Sequence, residues 1–352
     1  MTKNERRTTG RKKAKRIIRI VLVVGTAISL YFVPWLLVRA WIQPLPHTMQ
    51  EQADETVEHG FSGVIIYVDQ QGKPPAFHTA GWHDRARRIP AKKDAYFKIG
   101  SISKLYHAVA IAKLVSAGQL SLDGTLADYL PELAGQIENA EKITVRMMVQ
   151  HRSGIPNYTA TPDYWAHPET TAEGKLRLIL GRPANFQPGE DQEYCNTNYL
   201  LLNMIMDRTL GYNNFRFIQE AILTPFNLNH TFSSIQDVKI DDVMSGYHEG
   251  HDADLKTDDI GMIATAEDVG LFLRALNTGE LLTDKERKIY SSIYKFEHAG
   301  WVPGYQSFAA YDKDLDAVIV TFYSTTDPDL LLWNLAEILN GRFATILRRK
   351  SS

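Results

Sequence analysis

A serine and a lysine three residues apart, Ser101 and Lys104, could supply a nucleophile and its base. They stand where a strand-like run, residues 96–100, gives way to a helix-like one. Residues i and i+3 lie on one face of a helix, so the hydroxyl and the amine can come within hydrogen-bond reach. A desolvated lysine can accept the serine proton and activate the oxygen as a nucleophile. The motif therefore predicts acyl-transfer chemistry.

The same S-x-x-K spacing occurs a second time, at Ser292 and Lys295. Spacing alone cannot separate the two motifs. The distinction must come from the residues that accompany each one.

One accompanying cluster is Tyr194-Cys195-Asn196, which follows a Pro-Gly pair. A tyrosine phenol can relay protons, and an asparagine side chain can hold a substrate amide. Cys195 is the single cysteine of the chain, so no intrachain disulfide can form. Nothing near it in sequence reads as an activating partner, which disfavours a thiol nucleophile.

A second cluster is His298-Ala299-Gly300-Trp301. Small residues at a strand edge let a substrate backbone come close. The histidine offers a polar or cationic group to an anionic or carbonyl substrate. If protonated, His298 would lower the pKa of Lys104 and of a nearby tyrosine.

Four motifs in order resemble the serine β-lactamase and penicillin-binding protein superfamily: F-x-I-G-S-x-S-K, H-x-S-G-I-P, P-G followed by Y-x-N, and H-x-G with a trailing P-G. The resemblance covers roughly residues 60–325. It is closest to the branch with class C β-lactamases, D-alanyl-D-alanine carboxypeptidases and related esterases. No such set of motifs accompanies Ser292 and Lys295, so their spacing is interpreted as coincidence.

The resemblance implies a role for each matching residue. Ser101 would be the acylated nucleophile, and Lys104 its proton acceptor. Tyr194 would work with Lys104 and donate a proton to the leaving group. Asn196 would bind the acyl side of the substrate, and His298 would stand where other members have the lysine of K-T-G.

The resemblance also implies an oxyanion hole built from the backbone N–H groups of Ser101 and Trp301, beside Gly300. Such donors contribute on the order of 3 kcal/mol each to transition-state stabilisation. One departure stands out, because Ala299 replaces a hydroxyl residue that helps bind the carboxylate of a peptide or β-lactam. Its absence predicts weak penicillin hydrolysis and leaves room for esters or other amides.

The elements that position these residues lie at the two ends of the chain. Strand-like runs at 61–68 and 76–82 return at 304–311 and 317–323, with helix-like segments between. This predicts an α+β, β-lactamase/transpeptidase-like fold: an antiparallel sheet from both termini, flanking helices, and an inserted helical region of about residues 102–285. The aromatic segment 157–189 is interpreted as a substrate-facing loop, with a disordered insert as the alternative.

The N-terminus differs in composition from the rest. Nine of the 39 basic residues fall in the first 19 positions, and residues 20–38 carry no charge. We therefore predict a basic cytoplasmic segment (1–19), a single-pass transmembrane helix in the cell membrane (20–38), a tether with a first helix (39–59) and an extracytoplasmic hydrolase domain (60–346). A cleaved signal peptide is the alternative, but the following residues make a poor cleavage site.

Other classes of protein fit less well. After residue 19 the chain has 30 basic and 40 acidic residues, a net charge of −10, which disfavours nucleic-acid binding. Residues 248–252 lack the H-E-x-x-H spacing of a zinc site, and no G-x-S-x-G elbow occurs. No metal or cofactor is expected. The prediction is a membrane-anchored serine hydrolase acting on cell-envelope peptides or related amides and esters. The alternatives are an esterase or β-lactamase of the same fold, and a non-catalytic penicillin-binding sensor.

Overall fold

A computed structural model describes residues 3–251 and 253–349 of the chain, with side chains from residue 15 onward. The chain divides into two compact units, Met1–Pro44 and Leu45–Ser352. The division falls inside the predicted tether of residues 39–59.

The described residues form helices and strands with the following bounds. The helices are α1 (Lys3–Tyr31), α2 (Trp35–Ile42), α3 (Met49–Glu58), α4 (Ser103–Ser116), α5 (Leu126–Tyr129), α6 (Val145–Val149), α7 (Ala172–Arg177), α8 (Asn196–Leu210), α9 (Asn214–Ile218), α10 (Ala266–Thr278), α11 (Asp284–Ile293) and α12 (Leu331–Arg349). The strands are β1 (Gly63–Gln70), β2 (Ala76–Asp84), β3 (Ile89–Pro90), β4 (Phe97–Lys98), β5 (Thr231–Phe232), β6 (Tyr247–His248), β7 (Ile263–Ala264), β8 (His298–Val302), β9 (Tyr305–Asp312), β10 (Ala317–Tyr323) and β11 (Thr325–Thr326).

The N-terminal unit consists of α1 and α2, and it departs from the prediction of one helix over residues 20–38. The break falls at residues 32–34, where Pro34 has no N–H to continue the helix and disfavours helical backbone at the residue before it. Within residues 3–251 and 253–349, no single helix is long and apolar enough to cross a membrane. Only the pair Lys15–Tyr31 and Trp35–Ile42, bent by 80°, passes that test of length and composition.

The second unit is built on an antiparallel sheet with the strand order β3-β2-β1-β10-β9-β8 in the described chain. The first strand pairs with a strand from the far end of the sequence, so that Ile66 lies opposite Thr321. The prediction of one sheet formed by both termini is confirmed. Its pairing across about 250 residues follows from the apolar runs in β1 and β10, which are buried on both faces.

Helices cover this sheet and fill the region between its two halves. Helices α3 and α10 contact the sheet, and α12 packs on α3. The segment from α4 to α9 forms the inserted helical region, with α4 at the centre of the core: ten of its fourteen residues are buried. The turn before α4, which carries Ser101, contacts strand β8 of the sheet. The predicted α+β architecture is also confirmed.

Candidate active site

The turn that carries Ser101 joins the sheet side of the molecule to the buried helix α4. A 3₁₀ turn at Gly100–Ile102 links β4 to that helix, and Gly100 has a φ of 51°, which favours glycine. The turn places the Ser101 hydroxyl oxygen 2.9 Å from the Lys104 Nζ atom. The predicted serine–lysine contact is therefore present.

Two residues from a segment distant in sequence complete the contact. The Tyr194 hydroxyl donates to the Ser101 Oγ atom over 2.5 Å. The Lys104 Nζ atom donates to the Asn196 Oδ1 atom over 2.9 Å and lies 4.9 Å from the centre of the Tyr194 ring. Serine, lysine, tyrosine and asparagine thus form one hydrogen-bonded group, as the resemblance implied.

Burial decides which of these groups can act as the base. Lys104 is 6% exposed, and desolvation lowers its pKa to about 7. Desolvation raises the pKa of Tyr194 to about 12, although the hydrogen bond with Ser101 opposes that change. Near neutral pH a large fraction of Lys104 is the free amine, while Tyr194 is a neutral phenol. Lys104 can accept a proton and Tyr194 can donate one.

The H-x-S-G-I-P motif holds the Tyr194 segment in place. His151 adopts a φ of 59°, and its Nδ1 atom accepts a hydrogen bond from the Cys195 N–H over 3.1 Å. The Glu193 N–H donates to the His151 carbonyl oxygen over 3.0 Å. Tyr194 lies between these two anchors, which fixes its backbone while the phenol remains 45% exposed at the cleft.

The aromatic segment 157–189 supplies a further part of the site. Asn157 accepts from the Asn196 N–H through its Oδ1 atom, and the Asn196 Nδ2 atom donates to Thr159 Oγ1; both distances are 3.1 Å. Side chains of the same segment, including Trp165 and Lys175, line a cavity of about 500 Å³ above Ser101. This agrees with the interpretation of the segment as a substrate-facing loop.

Strand β8 brings the third motif against the nucleophile. A Cβ atom added to Gly300 would collide with the Ile99 carbonyl oxygen, and one added to Gly100 would lie 3.0 Å from the Trp301 backbone nitrogen. The Ser307 hydroxyl donates to that same Ile99 carbonyl over 2.8 Å. Only glycines permit this close approach, which sets the Trp301 backbone N–H beside the turn that carries Ser101.

His298 lines the cavity, but its charge differs from the cation considered from sequence. It is 8% exposed, and desolvation together with the neighbouring charge of Lys295 lowers its pKa to about 3. Its Nδ1 atom donates to the Ala299 carbonyl oxygen over 2.5 Å. His298 is therefore neutral at pH 7 and cannot lower the pKa of Lys104 or Tyr194 by its charge.

The cation that acts on the site is Lys295, which the sequence interpretation set aside. Its side chain lines the same cavity as Ser101 and Lys104, and its charge lowers the pKa of Lys104. Its former partner in the S-x-x-K pattern is not involved, because the Ser292 hydroxyl donates to the Ile289 carbonyl over 2.7 Å. The signal that could have found Lys295 is its position three residues before the His298 motif.

The structure bears on two alternatives to a serine nucleophile, namely a Cys195 thiol and a metal site. The Cys195 thiol is buried, donates to the Ile155 carbonyl over 3.2 Å, and has its pKa raised by burial, so it is not a thiolate. Among residues 3–251 and 253–349, no group of three or more His, Cys, Asp or Glu side chains could hold a metal ion. Asp252, part of the 248–252 stretch, lies outside the described residues.

Comparison with known proteins supplies independent information on the family. A family model described as Beta-lactamase matches residues 38–292. Over 193 residues the chain is 26% identical to Protein flp of Staphylococcus aureus (strain N315), covering 53% of this chain and 39% of that protein. It is also 26% identical over 197 residues to Penicillin-binding protein 4* of Bacillus subtilis (strain 168), covering 55% and 41%. The match thus spans about two fifths of these curated relatives.

Solved structures show the same fold over most of the chain. The D-amino acid amidase from Ochrobactrum anthropi SV3 superposes with a TM-score of 0.76, at 20% identity, covering 86% of this chain and 99% of that one. A penicillin binding protein from Bacillus halodurans superposes with a TM-score of 0.69, at 21% identity, covering 84% and 99%. Since the family match covers more than half of the sequence, the chain belongs to the beta-lactamase family.

Proposed function

We propose that this protein is a membrane-anchored serine hydrolase that forms an acyl-enzyme on Ser101 outside the cytoplasmic membrane. Its substrates would be cell-envelope peptides or related amides and esters. The observation that carries the proposal is the contact of Ser101 with a buried Lys104 whose pKa is about 7 and with a protonated Tyr194. A protein that only binds has no need of a lysine desolvated in this way.

The geometry supports a two-step reaction. The neutral Lys104 amine takes the Ser101 proton as the serine oxygen attacks the substrate carbonyl. The Ser101 and Trp301 N–H groups stabilise the negative charge that develops on the carbonyl oxygen. Tyr194 gives its proton to the departing amine or alcohol and recovers one from the protonated Lys104 amine. Water then attacks the acyl-enzyme as Lys104 accepts a proton from it, and Lys104 returns that proton to the Ser101 oxygen when the acid is released.

Labelling of the nucleophile tests this proposal directly. The full chain is treated with a fluorescent fluorophosphonate and, separately, with a fluorescent penicillin, and Ser101→Ala is the control. Label on the wild type that disappears in the variant supports an acyl-enzyme. Absence of label with both probes, and absence of ester hydrolysis, would favour a non-catalytic binding protein and overturn the proposal.

Substrate class is tested by side-by-side hydrolysis of nitrocefin, a p-nitrophenyl ester and a D-alanyl-D-alanine peptide. An amide of a D-amino acid joins the set, since one structural neighbour is named as a D-amino acid amidase. We expect the amide of a D-amino acid to be cleaved and nitrocefin to be a poor substrate, because Ala299 has no hydroxyl to bind the β-lactam carboxylate. Hydrolysis of nitrocefin faster than of the other three would overturn this order.

An esterase is the second candidate, and Ala299 favours it. An ester whose leaving group lacks a carboxylate would not need the missing hydroxyl. Turnover of the p-nitrophenyl ester without turnover of peptide or amide would assign the protein to this class.

The membrane location rests on the composition of the N-terminus. Residues 15–31 and 35–42 together have the length and hydropathy of a span, and nine basic residues precede or flank its start. We propose that they anchor the protein with the hydrolase domain outside. Carbonate-resistant sedimentation with membranes, and digestion of the domain by protease added to intact spheroplasts, test this. Release of the protein by carbonate, or its protection from the protease, would contradict the proposal.

A further inference from the structure

We propose that Lys295 recognises a carboxylate on the leaving group, and so determines specificity for substrates that release a carboxylate-bearing amine or alcohol. The inference rests on the proposed function, because it assigns a substrate class to the same site. Four observations support it: where Lys295 lies, what surrounds it, how its backbone is held, and what the neighbouring strand lacks.

Lys295 stands on the wall between two cavities. The first, of about 500 Å³, contains Ser101 and Asn196; the second, of about 590 Å³, lies beyond Tyr194. Lys295, Tyr194 and His298 line both cavities, whereas Asn196 lines only the first. Since Asn196 holds the acyl side and Tyr194 protonates the leaving group, the second cavity lies on the leaving-group side.

The charge of this cleft is opposite to that of the rest of the domain. No aspartate or glutamate is among the described residues that line either cavity, while lysines or arginines line both. The chain after residue 19 nevertheless carries a net charge of −10. Cations focused in a concave site attract anions and disfavour substrates with a cationic leaving group.

The Lys295 ammonium is free, although its backbone is fixed. Within residues 3–251 and 253–349, its Nζ atom makes no hydrogen bond or ion pair, and its side chain is exposed to the cleft. Partial burial lowers the pKa of Lys295, and the charge of Glu297, two residues further on, opposes this shift without pairing with the ammonium. The Tyr290 hydroxyl donates to the Lys295 carbonyl over 2.6 Å, and Asn277 Nδ2 donates to the Phe296 carbonyl over 3.1 Å. A cation on a held backbone with no internal partner is available to a ligand.

Strand β8 lacks the hydroxyl group that would otherwise bind a carboxylate. Ala299 offers no hydroxyl, and His298 is neutral at pH 7. Among the described lining residues, Lys295 is the lysine or arginine that lines both cavities, and it is not consumed by the reaction, whereas Lys104 must be neutral to act. A carboxylate in the second cavity would replace water around the Lys295 ammonium by a charge-assisted hydrogen bond.

A pair of matched esters isolates this interaction. N-acetylglycine m-carboxyphenyl ester and N-acetylglycine m-carbamoylphenyl ester differ only in the charge of the leaving group. For the wild-type full chain we expect a higher kcat/KM with the carboxyphenyl ester. Because loss of the Lys295 charge also changes the pKa of Lys104 on both substrates, the readout is the ratio of kcat/KM for the carboxyphenyl ester to kcat/KM for the carbamoyl ester. Lys295→Met should lower this ratio by about 10- to 100-fold, as for loss of a hydrogen bond to a charged group.

Two further variants control the experiment. Lys288→Met removes the same charge from α11, outside both cavities, and should leave both esters unaffected. Lys295→Arg should recover most of the preference for the carboxyphenyl ester, and 0.5 M salt should weaken it. Equal losses on both esters in Lys295→Met, or an unchanged ratio, would overturn the inference.

Failure of the inference and failure of the proposed function give different results. Wild-type turnover of both esters at equal kcat/KM, with Ser101 still labelled by an acyl probe, overturns the role of Lys295 alone. Absence of turnover of both esters and of any label on Ser101 overturns the proposed hydrolase function together with the inference.

Discussion

The chain contains the same short S-x-x-K pattern twice, and among the described residues only the first copy brings its serine and its lysine into hydrogen-bond contact. At the first S-x-x-K, the serine opens a buried helix and lies 2.9 Å from its lysine. At the second, Ser292 lies in the last turn of α11 and Lys295 lies beyond the end of that helix. The Ser292 hydroxyl donates a hydrogen bond to the backbone of its own helix. Lys104 is 6% exposed, whereas Lys295 is exposed to the cleft and unpaired among the described residues.

The difference shows that a motif gains chemistry from its surroundings rather than from its spacing. Burial lowers the Lys104 pKa to about 7, so this lysine can act as a base near neutral pH, whereas Lys295 is only partly buried. The two lysines are nevertheless coupled, since the charge of Lys295 lowers the pKa of Lys104 further. We propose that the first copy performs the reaction and that the lysine of the second helps select the substrate.

The largest expected effect separates the two serines. Ser101→Ala removes the nucleophile and should lower kcat for a p-nitrophenyl ester by on the order of 10³-fold or more. Ser292→Ala, in the second copy, should keep labelling by a fluorescent fluorophosphonate. Gel fluorescence and initial rates measure both. Acylation retained in Ser101→Ala would show that Ser101 is not the nucleophile and would remove the distinction between the two serines.

Removal of the buried base should have the next largest effect. Lys104→Met should reduce kcat/KM by about 10²- to 10⁴-fold, since Tyr194, the other described side chain bonded to the Ser101 hydroxyl, is a neutral phenol near pH 7 and cannot accept the proton. In the wild type, kcat/KM should rise with pH through about 7 and then level off, because the amine must be neutral. Lys288→Met serves as a charge-matched control on the surface. A wild-type profile that is flat between pH 5 and 9 would contradict the role of Lys104.

The same substitution should stabilise the fold. A lysine titrates near 10 when unfolded but near 7 in this site, so between those pH values the unfolded state binds more protons. Wild-type stability should therefore rise with pH across this window, and Lys104→Met should lose that dependence. At pH 7 we expect the variant to gain about 1 kcal/mol or more in the free energy of unfolding. Urea denaturation at pH 6, 7 and 9 measures it; a less stable variant at all three would refute the argument.

The smallest expected effect measures the coupling between the two copies. Lys295→Met removes a cation that lowers the pKa of Lys104, so the midpoint of the rising pH limb should move to higher pH. The measurement uses a neutral ester, which keeps substrate charge out of the comparison. His298→Gln should leave the midpoint in place, because His298 is already neutral. A shift in His298→Gln and none in Lys295→Met would reverse our assignment of the cation.

Much of the fold could be predicted because its signals are local or periodic. The apolar runs of β1 and β10 and the change from strand to helix around Ser101 are visible along the chain. The ordered motifs predict which serine reacts. The N-terminal helix was predicted less well. The hydropathy of residues 20–38 suggested one span, while Pro34 interrupts the hydrogen-bond ladder and separates α1 from α2.

By itself, the sequence determined the order of the motifs and the α+β sheet formed from both termini, and it predicted Ser101 as the nucleophile and Lys104 as its base. The tertiary structure decided the charge states, because a pKa depends on desolvation and on neighbours that lie far apart in sequence. Burial keeps His298 neutral and makes Lys104 a base near neutral pH. The fold also places Lys295, from the second S-x-x-K pattern, at the wall of the cleft. Residue types and spacing specify which atoms can react; packing sets their protonation and their partners.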